Sequence, residues 1–406
     1  MTLTVDSLRA SVESLFLGKR GKGSNRIGAE LELIPFDQDT HAPISIVGAD
    51  TEGSLEVIRR VAERAGWREV SAGEDPPSFT VPGGSALSFE PGGQLELSTP
   101  PSSNPSALIR DLRCTAQLLS GAFANAGIEL EAVGVDPYND IADVPLQLHR
   151  PRYERMSRFF DSIGDSGAKM MRQTASLQLN IDAGDKPFER WSLLNALAPY
   201  VTAIFANSPM YRGEPTGHQS LRSHIWRTLD VTRTGIPING RNYTDAYLDF
   251  ALDAQAIMRP DAPYDSFAEW MRQGNPSIED WQLHLSTLFP EVRPREYFEL
   301  RSLDAVHPDN LAAPIVFISA LVYDDATSHH AAEILSSVNN VTLADAGRYA
   351  LHNEDIRTVA SELVDLSLTG AEKLGNLYIG KPDLEKAALF FDRYTRRGLS
   401  PADDWS

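Results

Sequence analysis

Cysteine is almost absent from this chain of 406 residues, where Cys114 stands alone. No intrachain disulfide can form, and such sparse use points to a reducing compartment. No apolar run approaches the ~20 residues that span a bilayer. The opening residues, Met1-Thr2-Leu3-Thr4-Val5-Asp6, lack a basic segment followed by an apolar one, which argues against a secretory signal. The expectation is a soluble, cytoplasmic protein with no membrane partner. Gly-x-x-x-x-Gly-Lys-Ser/Thr, Gly-x-Gly-x-x-Gly and His-Glu-x-x-His are all missing, so phosphate-loop, dinucleotide and two-histidine zinc chemistry lack their motifs. His218, His224 and His284 have no metal-site spacing and are read as structural. Positive charge is short as well: 37 Lys and Arg face 56 Asp and Glu, a net of −19. That balance disfavours nucleic acid as a partner.

The deficit is uneven. From Arg150 to Arg241 there are 13 Lys and Arg against 8 Asp and Glu, a net of +5 that leaves −24 on the rest of the chain. A basic middle in an acidic protein suits a polyphosphate or carboxylate substrate, although chance surface charge gives the same count. The apolar share of 42% and charged share of 23% are those of a globular protein. The length exceeds one typical core and implies a large single unit or two closely packed lobes.

Along the chain, a helix from Val5 to Leu17 precedes a loose Gly/Lys/Arg stretch and a first strand at Ile27–Phe36. A helix near Gly53–Ala65 leads to a turn-rich region, Gly73–Gly84. Pro91-Gly92-Gly93 then joins Ala86–Glu90 to Gln94–Ser98 as a hairpin. Asn104 and Pro105 begin a helix whose apolar stripe is Leu108, Leu112, Leu119 and Phe123, with Gly127 as its end. Cys114 is read as a core thiol of that helix. A strand at Ile128–Gly134 and helices at Arg152–Phe160, Phe188–Phe205, Tyr243–Met258, Ala312–Tyr323 and Asp355–Gly370 complete the outline. The class is α+β, a largely antiparallel sheet flanked by helices.

Four segments alternate polar and apolar residues: Gly28–Leu33, Gly93–Leu97, Ser176–Ile181 and Tyr297–Arg301. Period-2 alternation marks half-buried strands with i and i+2 on one face. The polar set is Glu30, Glu32, Gln94, Glu96, Gln178, Asn180, Glu299 and Arg301, with no lysine. Glu90 closes the strand before the hairpin turn. Ordinary wet faces mix charge signs, whereas hard oxygen donors gathered on one surface suit Mg²⁺ or Mn²⁺. Four unrelated solvated strands are the plainer alternative. Cationic clamps for phosphate or carboxylate would come from Arg152, Arg172, Arg222, Arg233 and Arg301. Glu299 and Arg301 would place a metal ligand and a phosphate clamp about 7 Å apart along one strand.

The motifs Glu-Pro-Gly-Gly-Gln-Leu-Glu-Leu-Ser (90–98), Ala-Asn-Ser-Pro (206–209), Ser-Leu-Arg-Ser-His-Ile-Trp (220–226) and Glu-Leu-Arg-Ser-Leu-Asp (299–304) resemble glutamate–cysteine ligases of the plant and bacterial type, in particular the actinobacterial form. The resemblance runs from about residue 26 to 325. It implies a glutamine-synthetase-like catalytic sheet, ATP and several Mg²⁺ ions. It also implies one catalytic unit over residues 1–406, with a sheet-based core at about 26–325 and a helical region at about 326–406. Carried over position by position, it makes Glu30, Glu32, Glu90, Glu96, Gln178 and Glu299 metal ligands. Arg301 falls to the ATP phosphates, and Arg233 and Asn180 are added as ATP-binding candidates. Arg152, Thr174, Arg222 and Trp226 hold glutamate, and Arg222, Arg301 and Glu96 serve catalysis. The implied substrates are glutamate, cysteine and ATP, bound by a monomer or homodimer. Plant members carry redox-switching cysteine pairs, which Cys114 alone cannot form. Three rivals remain: a ligase with another amine acceptor, a guanidino-type phosphotransferase (which needs a reactive cysteine near the site), and a non-catalytic binding protein on the same fold.

Overall fold

A computed structural model describes residues 3–17, 25–49, 52–73, 75–238, 242–258, 264–338 and 341–405. The loose stretch expected around 18–24 lies outside them. The central sheet is built from β1 (Ile27–Asp37), β2 (Arg68–Ala72), β3 (Asp75–Thr80), β4 (Ala86–Phe89), β5 (Leu95–Ser98), β6 (Ile128–Glu131), β7 (Ser176–Asp182), β12 (Val292–Pro294) and β13 (Tyr297–Asp304). Two short ladders pair β8 (Met210–Tyr211) with β9 (Glu214–Pro215) and β10 (Thr234–Gly235) with β11 (Phe289–Pro290). The order across the sheet is β12-β13-β7-β1-β5-β4-β3-β2, and β6 pairs the far half of β1. Every pairing in this sheet is antiparallel. The expected architecture is therefore present.

Alternation decides how the central strands sit. Ala29, Leu31 and Leu33 of β1, Leu177, Leu179 and Ile181 of β7, and Phe298 and Leu300 of β13 are buried. A slip of one residue would turn each of these apolar groups to the opposite face, forfeiting ~1.5–3 kcal/mol for each larger side chain. Helix Pro187–Ile204 covers β13 and β12, and its Trp191 donates from Nε1 to the Val292 carbonyl at 3.0 Å. The largest apolar cluster runs from Leu8 to Ala402, so the C-terminal helices share a core with the sheet. Helix Ala312–Tyr323, with all twelve residues buried, packs on Glu354–Leu374 and Lys381–Arg393.

Three expectations need correction. The turn-rich region contains strand β3, because Pro76 and Pro77 near the rim of a sheet are compatible with pairing. Helices at Ser166–Arg172, Leu221–Leu229, Phe267–Gln273 and Ile278–Leu285 went unrecognised, being too short for a clear periodic stripe. Cys114 is exposed, not a core thiol. It lies two positions beyond Leu112 in helix Pro105–Ala124, about 200° around the axis at 100° per residue. Cys114→Ser should therefore leave stability within ~0.5 kcal/mol and the activity implied by the resemblance unchanged, and oxidised glutathione should not abolish that activity. Inactivation of the wild type that reductant reverses, and that the variant lacks, would contradict this.

Candidate active site

The ladder registers turn the alternating strands into rows of facing side chains. Glu32 of β1 pairs with Glu96 of β5, and Glu96 with Ser88 of β4. One pleat along, Glu30 pairs with Gln178 of β7 and with Ser98 of β5. One more brings Asn180 opposite Glu299 of β13, and Glu299 opposite Arg293 of β12. Directly opposed residues share a face, so segments separated by up to 270 residues place their oxygens on one surface. Glu90 follows β4 and reaches the same region through the hairpin turn, whose Gly93 N–H donates to the Glu90 carbonyl at 2.9 Å. Gly93 has φ +96°, and a Cβ on Gly92 would lie 2.0 Å from the Arg172 carbonyl oxygen, so both positions require glycine.

These rows floor a cavity of about 320 Å³. Glu30, Glu32, Glu90, Glu96, Gln178 and Arg301 line it, with Arg152, Thr174, Arg222 and Trp226. The structure thus brings together ten of the thirteen residues assigned a metal, ATP, glutamate or catalytic role in the sequence. Arg222 and Trp226 are four apart on helix Leu221–Leu229 and present one face, with the Arg222 guanidinium 5.5 Å from the Trp226 ring. Nε of Arg152, Nε of Arg222 and Nε1 of Trp226 are buried donors without a protein partner. Such donors are rare in folded proteins and call for a ligand or water.

Asn180 and Glu299 lie beside this cavity. Asn180 donates to Glu30 at 2.9 Å and borders a second cavity of about 720 Å³. Glu30 and Arg295 belong to the walls of both. Glu299 is engaged differently from the expectation of a free metal ligand. Arg293 grips it at 2.6 and 2.8 Å, Arg295 approaches at 3.4 Å, and Arg301 forms an ion pair with it directly. Side chains projecting from one face close the 7 Å backbone spacing. A β-bulge between Leu300 and Leu303 sets Arg301 opposite Gln178, whose Oε1 accepts from it at 2.8 Å.

Two arginines do not reach the site. Arg233, expected at ATP, is fully buried elsewhere. It donates to Asp230 at 2.7 Å, to Thr287 at 3.1 Å and to the Gln255 carbonyl at 2.8 Å, tying loops together. Arg172, one of the clamp candidates, lines neither cavity. Arg293 and Arg295 were missed, although Val-Arg-Pro-Arg (292–295) sets arginines two apart just before the β13 alternation. Tyr153, Met156, Met170, Met171 and Phe289 complete the smaller cavity and carried no sequence signal beyond their apolar character.

Electrostatics divide the acidic groups in two. Burial, reinforced by its carboxylate neighbours, pushes Glu90 up to about 8 and Glu96 well above the usual carboxylate range. Burial also raises Glu30 and Glu32. Glu299 goes the other way, to about 2, because the pull of its arginines overcomes burial. Arg152, Arg222 and Arg301 offset only part of this effect, so Glu30, Glu32 and Glu90 stay raised despite them. Among the described residues no three Asp, Glu, His or Cys groups converge closely enough to hold a metal ion by themselves. Mg²⁺ seldom needs one, since it keeps several waters and uses one or two carboxylates plus substrate phosphates. The donor set therefore fits Mg²⁺.

Proton linkage follows. Between 4.5 and about 8 the folded protein holds a proton on Glu90 that the unfolded chain has released, so stability falls as pH rises. Buried His284, lowered from 6.5 to about 3, opposes that trend only below pH 6.5. With metal chelated, the melting temperature should fall by a few degrees between pH 6.5 and 8. A flat calorimetric profile over that window would refute the assignment.

Residues 26–405 match glutamate–cysteine ligase family 2. The chain belongs to this family. The match extends through the C-terminal helices, beyond the segment whose motifs were recognisable. Among relatives, "Glutamate--cysteine ligase EgtA" of Mycolicibacterium smegmatis is 35% identical over 388 residues, covering 90% of this chain and 87% of that protein. The rice (Oryza sativa subsp. japonica) "Glutamate--cysteine ligase A, chloroplastic" is 30% identical, covering 91% and 79%. A solved structure of glutamate–cysteine ligase from Francisella tularensis in complex with AMP superposes with a TM-score of 0.55 at 14% identity, over 94% of this chain and 84% of that one. At that identity the likeness speaks for the fold alone, the expected glutamine-synthetase-like one. The phosphotransferase rival loses its thiol, since Cys114 lines neither cavity.

Proposed function

We propose that this protein joins the γ-carboxylate of L-glutamate to the α-amine of L-cysteine, with ATP as the phosphoryl donor. The observation that carries the reading is the pair of cavities meeting at Glu30 and Arg295. In the smaller, buried guanidinium and indole donors wait for partners; the larger has room for a nucleotide and opens onto the same carboxylate rows. Arg152, Arg222, Trp226 and Thr174 hold glutamate with its γ-carboxylate toward the sheet. Arg295 lines both cavities and Arg293 and Arg301 line the smaller one; these three neutralise phosphoryl oxygens. Glu30, Glu32, Glu90, Glu96 and Gln178 hold Mg²⁺, which when bound screens the repulsion between the two anionic reactants. Glu299 joins them if ATP draws the arginines away.

A carboxylate does not condense with an amine directly, because hydroxide is a poor leaving group. The γ-carboxylate oxygen attacks the γ-phosphorus of ATP, the bond to ADP breaks, and γ-glutamyl phosphate forms. The cysteine nitrogen then attacks the acyl carbon and phosphate departs. No covalent bond to the enzyme is needed, so positioning and charge compensation supply the catalysis. Met156, Met170 and Met171 give the glutamate cavity a polarisable wall suited to a thiol.

Phosphate release with glutamate, ATP, Mg²⁺ and a panel of amines tests the reading. Cysteine should be the best acceptor, with 2-aminobutyrate usable and serine poor, because its hydroxyl must be desolvated. Discrimination of cysteine from 2-aminobutyrate should be on the order of 10–200-fold in kcat/KM. If all three are inert while another amine supports glutamate-dependent ADP formation, the acceptor is different.

A further inference from the structure

Asp304 ends β13, five residues after Glu299, and lines neither cavity. It is 1% exposed, yet its hydrogen-bond partners carry no charge. Oδ2 accepts from the Asn207 backbone N–H at 2.8 Å and from the Ser208 hydroxyl at 2.7 Å, while Oδ1 accepts from the Ser220 hydroxyl at 2.8 Å. A buried carboxylate without a paired cation is expensive, so its placement calls for a reason. Both serines pass the connection onward. Ser208 Oγ accepts from the Arg222 backbone N–H at 3.2 Å. Ser220 is the N-cap of helix Leu221–Leu229, accepting from the Ser223 N–H at 3.1 Å. The far end of Arg222 returns to the same strand, donating from Nη2 to the Arg301 carbonyl at 2.9 Å. Gly134 lies so close that a Cβ there would stand 2.5 Å from the Asp304 carboxyl carbon, so the carboxylate cannot drift.

We propose that Asp304 is a positioning residue that locks the start of the Arg222 helix to the end of β13, holding the Arg222 guanidinium at fixed reach from the carboxylate rows. An acceptor with two oxygens is required because all three partners are donating. An asparagine would turn an NH₂ toward one of them: the hydroxyl of Ser220 can rotate to accommodate it, whereas the Asn207 N–H cannot. The inference rests on the assignment of Arg222 to glutamate binding. Asp304→Asn should fold, raise the glutamate KM at least tenfold and leave the ATP KM within twofold. Combined with Arg222→Lys, it should add less than a further twofold. A purely structural role would lower the melting temperature and the active fraction while leaving the glutamate KM unchanged, and that result overturns the proposal if Arg222→Lys itself raises this KM. If Arg222→Lys leaves it unchanged, the substrate role of Arg222 fails and this inference with it. Should Asp304→Asn yield no folded protein, Ser220→Ala and Ser208→Ala each remove one of the three bonds and must show the same selective rise in glutamate KM.

Discussion

Glu96→Gln should lower kcat at least 100-fold at saturating Mg²⁺ while leaving the fold intact. Glu96 sits between Glu32 and Ser88 in the register, with Ser88 and Ser98 donating to it at 3.3 and 3.0 Å. Glutamine keeps the shape and an acceptor oxygen but removes the negative charge that a hard cation requires. The metal-free variant should also melt at a higher temperature than the wild type. Its lost charge is one that burial and the carboxylates of Glu90, Glu30 and Glu32 all disfavour, and catalytic sites commonly trade stability in this way. Both readouts come from ADP release and calorimetry on one preparation. A variant keeping more than a tenth of kcat has lost only ~1.4 kcal/mol of transition-state stabilisation, too little for a charge in contact with the metal.

Arg222→Lys should lose about 100-fold in kcat/KM for glutamate, ~2.7 kcal/mol, chiefly through KM. Arg222 is 3% exposed, spends Nη2 on the Arg301 carbonyl and leaves Nε buried without a partner. A planar fork can hold that carbonyl and a substrate carboxylate together. An ammonium is a point charge and must abandon one of them. It also loses the guanidinium contact over the Trp226 ring, 5.5 Å from its centroid. An unchanged glutamate KM would remove Arg222 from the substrate role.

Not every reading by residue type survived. Positive charge in the basic middle marked four arginines alike, yet Arg222 and Arg152 line the smaller cavity while Arg233 and Arg172 line neither, because composition carries no direction. Arg233 became a loop fastener once Asp230, Thr287 and Gln255 closed around it. The helical stripe around Leu112 held enough information to place Cys114 on the outer side, since a spacing of two cannot share a face in a helix. Arg293 was legible in principle, two residues from Arg295, but its value depended on register with Glu299.

By itself the sequence determined which side chains share a face within each strand and helix, because the periods of 2 and 3.6 are properties of the local backbone. Through its ordered motifs it also determined the family. Only the tertiary structure decided that β1 lies between β5 and β7 and that β13 lies beside β7, which brings Glu30, Glu96, Gln178 and Glu299 onto one surface. It alone set three arginines on Glu299 and left Arg222 Nε buried without a partner. Strand order and register are chosen by long-range burial of Leu31, Leu97, Leu179 and Leu300, and that burial exists only after the chain has closed on itself.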